Sequence, residues 1–479
     1  MYLGLDLGTS GLKAVVMDGA QAVQASAVAP LSVQRPHPGW CEQNPADWLG
    51  ATEAVMAELG AQVDLGAVEA IGLSGQMHGA TLVDAAGDVL RPCMLWNDTR
   101  SHAEAAAMDA DPIWRAITGN IVFPGFTAPK VAWVRTHAPE IFARIDTVLL
   151  PKDYLRLWLT GAAVSDMSDA SGTAWLDVGA RDWSDDLLAA SGLSRDRMPL
   201  LVEGSDPAGR LRDALADRWG LRRGVVVAGG AGDNAAAGIG VGAVASGQGF
   251  ISLGTSGVLF AASDAYRPDP ASAVHMFCHA LPGMWHQMGV ILSCTDALNW
   301  YAGLVGADAA GLTAGLGPLQ APGAPLFLPY LGGERTPHND AAARGALLGL
   351  GHATDRAAGT RAVLEGVCFA FRDCLDALRD TGTRIDSLIA VGGGSRSDYW
   401  LEALATALDL PIDLAAGGDV GGAFGAARLA QMAKTGQGAT LAGRPAIART
   451  IPPRRDLVAA FHTGHARYRA AYAALKDTI

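Results

Sequence analysis

The chain has 479 residues, half of them hydrophobic, and a formal net charge of −12. This length exceeds what one ordinary hydrophobic core organises, so we expect two large domains. The acidic balance argues against general nucleic-acid binding, which needs basic stripes along one face. The six cysteines form no CxxC pair and no zinc-finger spacing with histidine, which favours a reducing cytoplasmic compartment.

A five-residue string, LGTSG, occurs twice, at residues 7–11 and 253–257. Each copy lies between two apolar runs, which predicts a β-hairpin with a turn of Gly, Thr and Ser. Such a turn directs several backbone N–H groups and hydroxyls to one point and favours an anion there. Two copies about half a chain apart predict a duplicated domain with a phosphate cradle in each half.

Strands and helices alternate in both halves. Apolar runs predict strands at residues 68–73, 82–83, 95–96, 225–228, 326–328 and 388–391. Helical spacing predicts helices over residues 234–242, 360–379, 399–408 and 456–475, and residues 100–223 are predicted mostly helical. This alternation predicts an α/β fold with a boundary near residue 244, giving domains over residues 1–244 and 245–479.

Residues 235–263 carry no charge over a length that would span a bilayer. Glycines, with Ser, Thr and Gln, interrupt this run, which disfavours a transmembrane helix. We expect a buried helix, a turn and strands instead.

Asp6 lies near the end of the first predicted strand, two residues before Gly8. A carboxylate beside a phosphate cradle is placed to hold Mg²⁺, although an Asp that accepts from turn amides gives the same pattern. The second copy has Ser252 at the equivalent position. This asymmetry fits two cradles on one nucleotide, only one of which supplies a metal ligand. Lys13, after the first loop, either offsets phosphate charge or is a solvated strand residue.

The string GGAGDNAAAG at residues 229–238 follows a predicted buried strand and places Asp233 at a helix start. One interpretation is an ordinary N-cap. The other is a base that accepts or orients a hydroxyl proton for in-line attack on a γ-phosphoryl group. The surrounding glycines leave room for a substrate, and the helix dipole would keep the carboxylate ionised.

Three further strings lie on predicted loops. SGQMHG at residues 74–79 and WNDTR at residues 96–100 carry polar side chains that suit a sugar or polyol, although a lone histidine such as His78 is more often a packing residue. VGGGSRSDYW at residues 391–400 is a strand, a glycine turn and a helix, which permits close approach of an adenine or ribose. The Walker A string is absent, so this is not a P-loop enzyme.

Together these residues resemble the FGGY family of carbohydrate kinases, within the superfamily of actin, Hsp70 and hexokinase. Residues 126–134 (FTAPKVAWV) and 345–371 are similar to the two family signatures, and the resemblance extends over nearly the whole chain. Further similar segments lie at residues 35–45, 75–92, 117–130, 149–161, 165–178 and 331–340. The resemblance implies two ribonuclease-H-like domains of actin or hexokinase type around a central cleft, with sugar bound mainly by the first and nucleotide by the second.

The resemblance also implies roles for matched residues. Asp233 would be the catalytic base, with the sugar contacted by Met77, His78 and Asn234. Asp6 would support Mg²⁺, and the nucleotide would be held by Thr9, Ser10, Gly254, Thr255, Gly393 and Gly394. The run Ser395-Arg396-Ser397 departs from the asparagine that many relatives have after the triple glycine, which leaves the adenine contacts open.

The implied reaction transfers the γ-phosphoryl group of MgATP to the 5-hydroxyl of D-xylulose, giving D-xylulose 5-phosphate and ADP. Two alternatives stay open: a sister kinase for a related pentulose, and a non-catalytic nucleotide-gated module. Neither nucleic acid nor a membrane is an expected partner, and a homodimer is a family-level expectation.

Overall fold

The computed structural model describes residues 1–417 and 421–478. Its strands are β1 (Tyr2–Leu7), β2 (Gly11–Met17), β3 (Val23–Pro30), β4 (Glu42–Gln43), β5 (Ala70–Gly75), β6 (Thr81–Val83), β7 (Cys93–Met94), β8 (Thr147–Leu149), β9 (Val164–Asp166), β10 (Leu176–Asp177), β11 (Asp182–Trp183), β12 (Leu200–Val202), β13 (Pro207–Arg210), β14 (Val226–Ala228), β15 (Ala231–Gly232), β16 (Gly247–Leu253), β17 (Gly257–Ser263), β18 (His275–Cys278), β19 (Trp285–Ile291), β20 (Leu326–Leu328), β21 (Ala346–Leu348), β22 (Ile385–Val391), β23 (Ile412–Ala415) and β24 (Ile447–Ile451).

The α-helices are α1 (Pro45–Gly60), α2 (His102–Asp109), α3 (Pro112–Thr118), α4 (Thr127–His137), α5 (Pro139–Phe142), α6 (Pro151–Thr160), α7 (Met167–Ala170), α8 (Asp185–Ala190), α9 (Asp213–Trp219), α10 (Asp233–Val241), α11 (Thr295–Leu304), α12 (Ala309–Ala314), α13 (Arg356–Asp380), α14 (Asp398–Leu408), α15 (Gly422–Thr435) and α16 (Val458–Leu475). Short 3-10 turns occur at Leu65–Ala67, Ser171–Thr173, Arg195–Arg197, Pro270–Ser272, Gly393–Arg396 and Gly438–Leu441.

Two large sheets repeat one arrangement of strands. The first has the order β13-β14-β5-β1-β2-β3, and the second has the order β18-β19-β17-β16-β22-β23-β24. In the first sheet β1 is antiparallel to β2 and parallel to β5, which is parallel to β14. In the second sheet β16, β17, β22 and β23 have the same relations. The duplicated α/β fold, with a ribonuclease-H-like unit in each half, is therefore confirmed.

Helix α15 joins the two halves. It lies between β23 and β24 of the second sheet in the chain, yet it packs on β1, β5 and α10 of the first half. The contact is close because glycines face it: a Cβ on Gly4 or Gly72 would lie 1.9 or 1.8 Å from a carbonyl oxygen of α15. The division at residue 244 stays a prediction, and this helix shows that packing crosses it.

Two local expectations are wrong. The strand predicted at residues 95–96 lies instead at β7, and Trp96 follows it with its indole Nε1 donating to Thr9. Residues 100–223 contain α2 to α9 but also β8 to β13. These strands have two to four residues, which is too short for an alternating apolar pattern to appear in the sequence.

The uncharged stretch at residues 235–263 forms most of α10, then β16 and β17. This matches the expected helix, turn and strands. Within residues 1–417 and 421–478, the structure has no helix with the length and apolar character needed to cross a bilayer.

Candidate active site

Three parallel strands of the first sheet end side by side. The register pairs Leu7 of β1 with Gly75 of β5, and Gly75 with Gly232 of β15. The segments that leave these strands carry the first LGTSG turn, residues 76–78 and the start of α10. Because ligands of open α/β sheets bind beyond the carboxyl ends of the strands, this edge is the candidate active site.

Asp233 is the first residue of α10, and Gly232 occupies the N-cap position. The Asp233 Oδ1 atom accepts from the backbone N–H of Asn234 at 2.7 Å and from its side-chain amide at 2.9 Å. Gly232 rather than Asp233 is the N-cap residue, although Asp233 does accept from the second helical N–H, that of Asn234. The Asp233 carboxylate lies near enough to Asp6 for the charge of Asp6 to act on it.

Burial, and then the negative charge of Asp6, raise the pKa of Asp233 to about 7. The expectation that the helix dipole keeps this carboxylate ionised is therefore outweighed by burial. A carboxyl group whose pKa lies near neutrality is suited to accept a proton.

Asp6 lies on β1, and Ser74 of the adjacent strand β5 donates to its Oδ1 at 2.7 Å. Burial raises the pKa of Asp6, and the Ser74 hydrogen bond and the charge of Lys13 partly oppose this. A Cβ on Gly422 would lie 2.8 Å from Asp6 Oδ2, so the start of α15 reaches this carboxylate. Two neighbouring carboxylates and a hydroxyl are hard oxygen donors of the kind that Mg²⁺ prefers.

His78 follows β5 in a left-handed backbone conformation, with φ of 70°. Its Nδ1 lies 2.7 Å from the carbonyl oxygen of Gly172, and its ring stacks on Phe126. Burial lowers the pKa of His78 to about 3, so the ring is neutral. Because a carbonyl only accepts, Nδ1 carries the proton, and Nε2 is the acceptor that a sugar hydroxyl would meet.

Met77 lies between His78 and the segment that leads to Asp233. Its side chain is buried, and a Cβ on Gly232 would lie 2.9 Å from Met77 Sδ. The structure therefore brings together Met77, His78 and the strand that carries Asp233.

The first LGTSG turn lies at the same edge. The Thr9 hydroxyl donates to Gln76 Oε1 at 2.8 Å and accepts from Trp96 Nε1 at 3.0 Å. These bonds connect the turn to the loops at residues 74–79 and 96–100. Ser10 is exposed, and Lys13 pairs with Asp6 in the β1–β2 register. Of the predicted phosphate residues of the first half, Lys13 is thus a direct neighbour of Asp6.

The second sheet repeats this geometry for the other predicted nucleotide residues. Ser252 of β16 pairs with Val391 of β22, so the turn with Gly254 and Thr255 lies beside residues 392–394. Thr295, at the start of α11, donates its backbone N–H and hydroxyl to the Gly254 carbonyl at 2.9 and 2.8 Å. The turn is therefore fixed to that helix.

A pocket of about 740 Å³ opens beyond this edge. It is lined by α11, α12, the start of α14 and the glycine turn, including Gly393 and Gly394. A Cβ on Gly393 would meet no heavy atom within 4 Å, so this glycine borders open space. The volume falls within the range of small-molecule sites.

Three residues near His78 have roles that the sequence did not indicate. Lys130, fully buried in α4, donates its Nζ to the His78 carbonyl at 2.9 Å and also to Gly125. From the second half, Arg335 Nη1 lies 3.4 Å from His275 Nε2, within the aromatic cluster around His78. Of Lys130, Arg335 and His275, only Lys130 could have been noticed in the sequence, as a lysine within an apolar helix.

Comparison with known proteins agrees with both halves. The N-terminal domain of the FGGY family of carbohydrate kinases matches residues 1–240, and its C-terminal domain matches residues 249–434.

The chain belongs to the FGGY family of carbohydrate kinases.

As a member of the FGGY family, the chain is similar to xylulose kinase of Escherichia coli K12, with 52% identity over 436 residues and 90% of each chain covered. Among solved structures, a xyloylose kinase from Brucella ovis superposes with a TM-score of 0.99 at 60% identity, covering 100% of each chain. A xylulose kinase from Rhodospirillum rubrum has a TM-score of 0.93 at 29% identity, covering 99% of each. This FGGY chain is an ATP-dependent sugar kinase.

Proposed function

We propose that the chain transfers the γ-phosphoryl group of MgATP to the 5-hydroxyl of D-xylulose, giving D-xylulose 5-phosphate and ADP. The observation that carries this proposal is the placement of Asp233 at the start of α10 near Asp6, where burial and the charge of Asp6 raise its pKa to about 7. The choice of sugar is supported by relatives named xylulose kinase that are 52% and 49% identical over most of the chain.

In this proposal Asp233 accepts or orients the proton of the attacking hydroxyl. The two hydrogen bonds from Asn234 hold the reactive carboxylate in place. Neutral His78 accepts a hydrogen bond from a second sugar hydroxyl through Nε2, and Met77 packs against the carbon skeleton. Closure of the cleft then excludes water, which would otherwise compete as acceptor.

ATP would be held by both halves. Thr9, Ser10 and Lys13 serve its phosphates from the first half, Gly254 and Thr255 serve them from the second, and Gly393 and Gly394 line the adenosine pocket. Mg²⁺ would be held beside Asp6, where it would offset phosphate charge. The carboxylate pair of Asp6 and Asp233 and the Ser74 hydroxyl fit this ion.

The cellular compartment and the oligomeric state are further parts of the proposal. All six cysteines are buried and free, which supports the reducing cytoplasm as the compartment. A homodimer stays a prediction. Gel filtration with light scattering measures it directly.

A substrate panel with coupled detection of ADP tests the proposed function. The panel contains D-xylulose, its C3 epimer D-ribulose, glycerol and gluconate, each with MgATP. We expect the highest kcat/KM with D-xylulose. Turnover of another sugar without turnover of D-xylulose contradicts the choice of substrate, and ATP binding without turnover of any sugar favours the nucleotide-gated module.

A further inference from the structure

A cluster of five buried charged side chains lies outside the roles given so far. This ionic cluster consists of Lys152, Asp153, Arg156, Asp166 and Asp169, each with 0% of its surface exposed. Lys152 Nζ lies 2.6 Å from Asp153, 2.7 Å from Asp166 and 3.1 Å from Asp169. The three carboxylates are close enough together to hold a metal, but the Lys152 ammonium contacts all of them, so the cluster is an ion-pair network.

Buried ion pairs are weak evidence for stability, because the cost of removing charges from water offsets their attraction. The role of the ionic cluster therefore depends on what it holds in place. Two of its contacts reach the segment at residues 229–232, which immediately precedes Asp233.

The first contact is direct. Arg156 Nη2 donates to the carbonyl oxygen of Gly229, at the start of the segment, while Nη1 bonds to Asp153 at 2.7 Å. The guanidinium thus fixes one backbone atom at the beginning of the segment from within the ionic cluster.

The second contact passes through Ser168. The backbone N–H of Gly232 donates to Ser168 Oγ at 3.2 Å, and that hydroxyl donates to Asp166 Oδ2 at 2.5 Å. Asp166 also forms an ion pair with Lys152, whose Nζ lies 2.7 Å from its Oδ1. The residue immediately before Asp233 is therefore tied to the ionic cluster by a chain of hydrogen bonds.

We infer that the ionic cluster positions the catalytic carboxylate, with Arg156 and Ser168 as positioning residues that act through the backbone of Gly229 and Gly232. This inference rests on the proposed role of Asp233 as the base. Neither side chain contacts the sugar in this scheme; both set where the carboxylate lies. A displacement of about 1 Å at a reacting group costs about 100-fold in rate.

A matched pair of serine variants tests the inference. Ser168→Ala removes the hydroxyl that accepts from Gly232. Ser191→Ala removes an equally buried hydroxyl, which accepts from Trp175 Nε1 at 2.7 Å and donates to the Leu187 carbonyl at 3.0 Å rather than to the ionic cluster or the segment. The measurements are kcat, the KM for each substrate, the pH profile of kcat/KM and the melting temperature, on the full chain with D-xylulose and MgATP.

We expect Ser168→Ala to lower kcat by about 10- to 100-fold and to move the acid limb of the pH profile, with the KM for ATP unchanged. Ser191→Ala should lower the melting temperature similarly but keep the parent kcat and pH profile. Arg156→Lys, which keeps the charge but loses the second donor to Gly229, should act in the direction of Ser168→Ala and serves if that variant does not fold.

Parent kcat and pH profile in Ser168→Ala or Arg156→Lys overturn the inference, as do equal kcat losses in both serine variants. A parent chain that does not turn over D-xylulose instead contradicts the proposed function, so the two failures are distinguishable.

Discussion

At the scale of single residues, the site depends on two carboxylates that the fold partly buries. Asp6 lies on β1 and Asp233 follows β15, two strands that both pair with β5, and the charge of Asp6 adds to burial in raising the pKa of Asp233. The sequence indicated both residues, since each follows an apolar run and adjoins glycines. It did not indicate their proximity, because 226 positions of chain (233 − 7) lie between them and only the pairing of β1, β5 and β15 joins them.

Replacing Asp233 by Asn should stop catalysis while stabilising the fold. We expect kcat to fall by about 1,000-fold, since loss of a general base costs 10²- to 10⁴-fold, with ATP affinity nearly unchanged. The pKa of Asp233 in the folded chain is about 7, raised from 3.8, so folding favours the protonated form and the parent loses stability as pH rises from 3.8 to about 7. An Asn at position 233 does not ionise, so the variant avoids this loss of stability at higher pH.

The free energy of unfolding should therefore be higher in Asp233→Asn than in the parent above about pH 7, and the difference should shrink as the pH falls towards 4. Urea denaturation at about pH 8 and about pH 5 measures this. Asp477→Asn, at an exposed position, is the control and should change neither kcat nor the pH dependence. Normal turnover in Asp233→Asn would remove this residue from the mechanism.

At the scale of elements, long periodic segments were predictable and short ones were not. The helix predicted at residues 360–379 is α13, which starts earlier because Asp355 caps it by accepting from Ala358. The strands β8 to β13 are too short to show an alternating apolar pattern. Nothing in the sequence indicates that Lys130 and Gly172 contact His78. The loop after β5 depends on them, since they hold its backbone carbonyl and its ring nitrogen.

Gly172→Ala should weaken sugar binding selectively. An added Cβ would lie 2.4 Å from His78 Cε1 and Nδ1, so the imidazole must move away from its stacked position on Phe126. We expect the KM for D-xylulose to rise by about 10-fold or more, the loss of one oriented hydrogen bond, with the KM for ATP unchanged. Steady-state kinetics with each substrate varied in turn measures both constants.

Gly351→Ala is the control, because a Cβ there meets no heavy atom within 4 Å. An unchanged KM for D-xylulose in Gly172→Ala would mean that His78 does not contact the sugar.

At the scale of the whole molecule, α15 links the second half of the chain to the first. Its Gly425 approaches α10 so closely that a Cβ would lie 1.8 Å from the carbonyl oxygen of Ala236. Since α10 starts at Asp233 and α15 starts beside Asp6, a shift between these helices changes the spacing of the two carboxylates. The packing of one helix pair thus bears on both halves of the site.

Gly425→Ala should force α10 and α15 apart. We expect a loss of about 1–3 kcal/mol in the free energy of unfolding, typical of overpacking, together with a lower kcat. Urea denaturation and steady-state kinetics measure the two effects. Gly50→Ala, in the open face of α1 where a Cβ meets nothing within 4 Å, should keep kcat and gain slightly in stability. Parent kcat in Gly425→Ala would show that helix spacing does not affect Asp233.

The duplicated α/β fold, the two LGTSG turns and the residues at the strand ends are predictable from the amino-acid sequence, because strands, turns and helix starts follow from local patterns of apolar residues and glycine. The folded chain is needed to show which of these strand ends meet, that α15 packs on the first sheet, and that Arg156 and Ser168 contact the segment before Asp233. It also decided the pKa of Asp233, since burial and a neighbouring charge arise from residues far apart in the chain. Such contacts leave no periodic trace in the sequence, so they become visible only once the chain is folded.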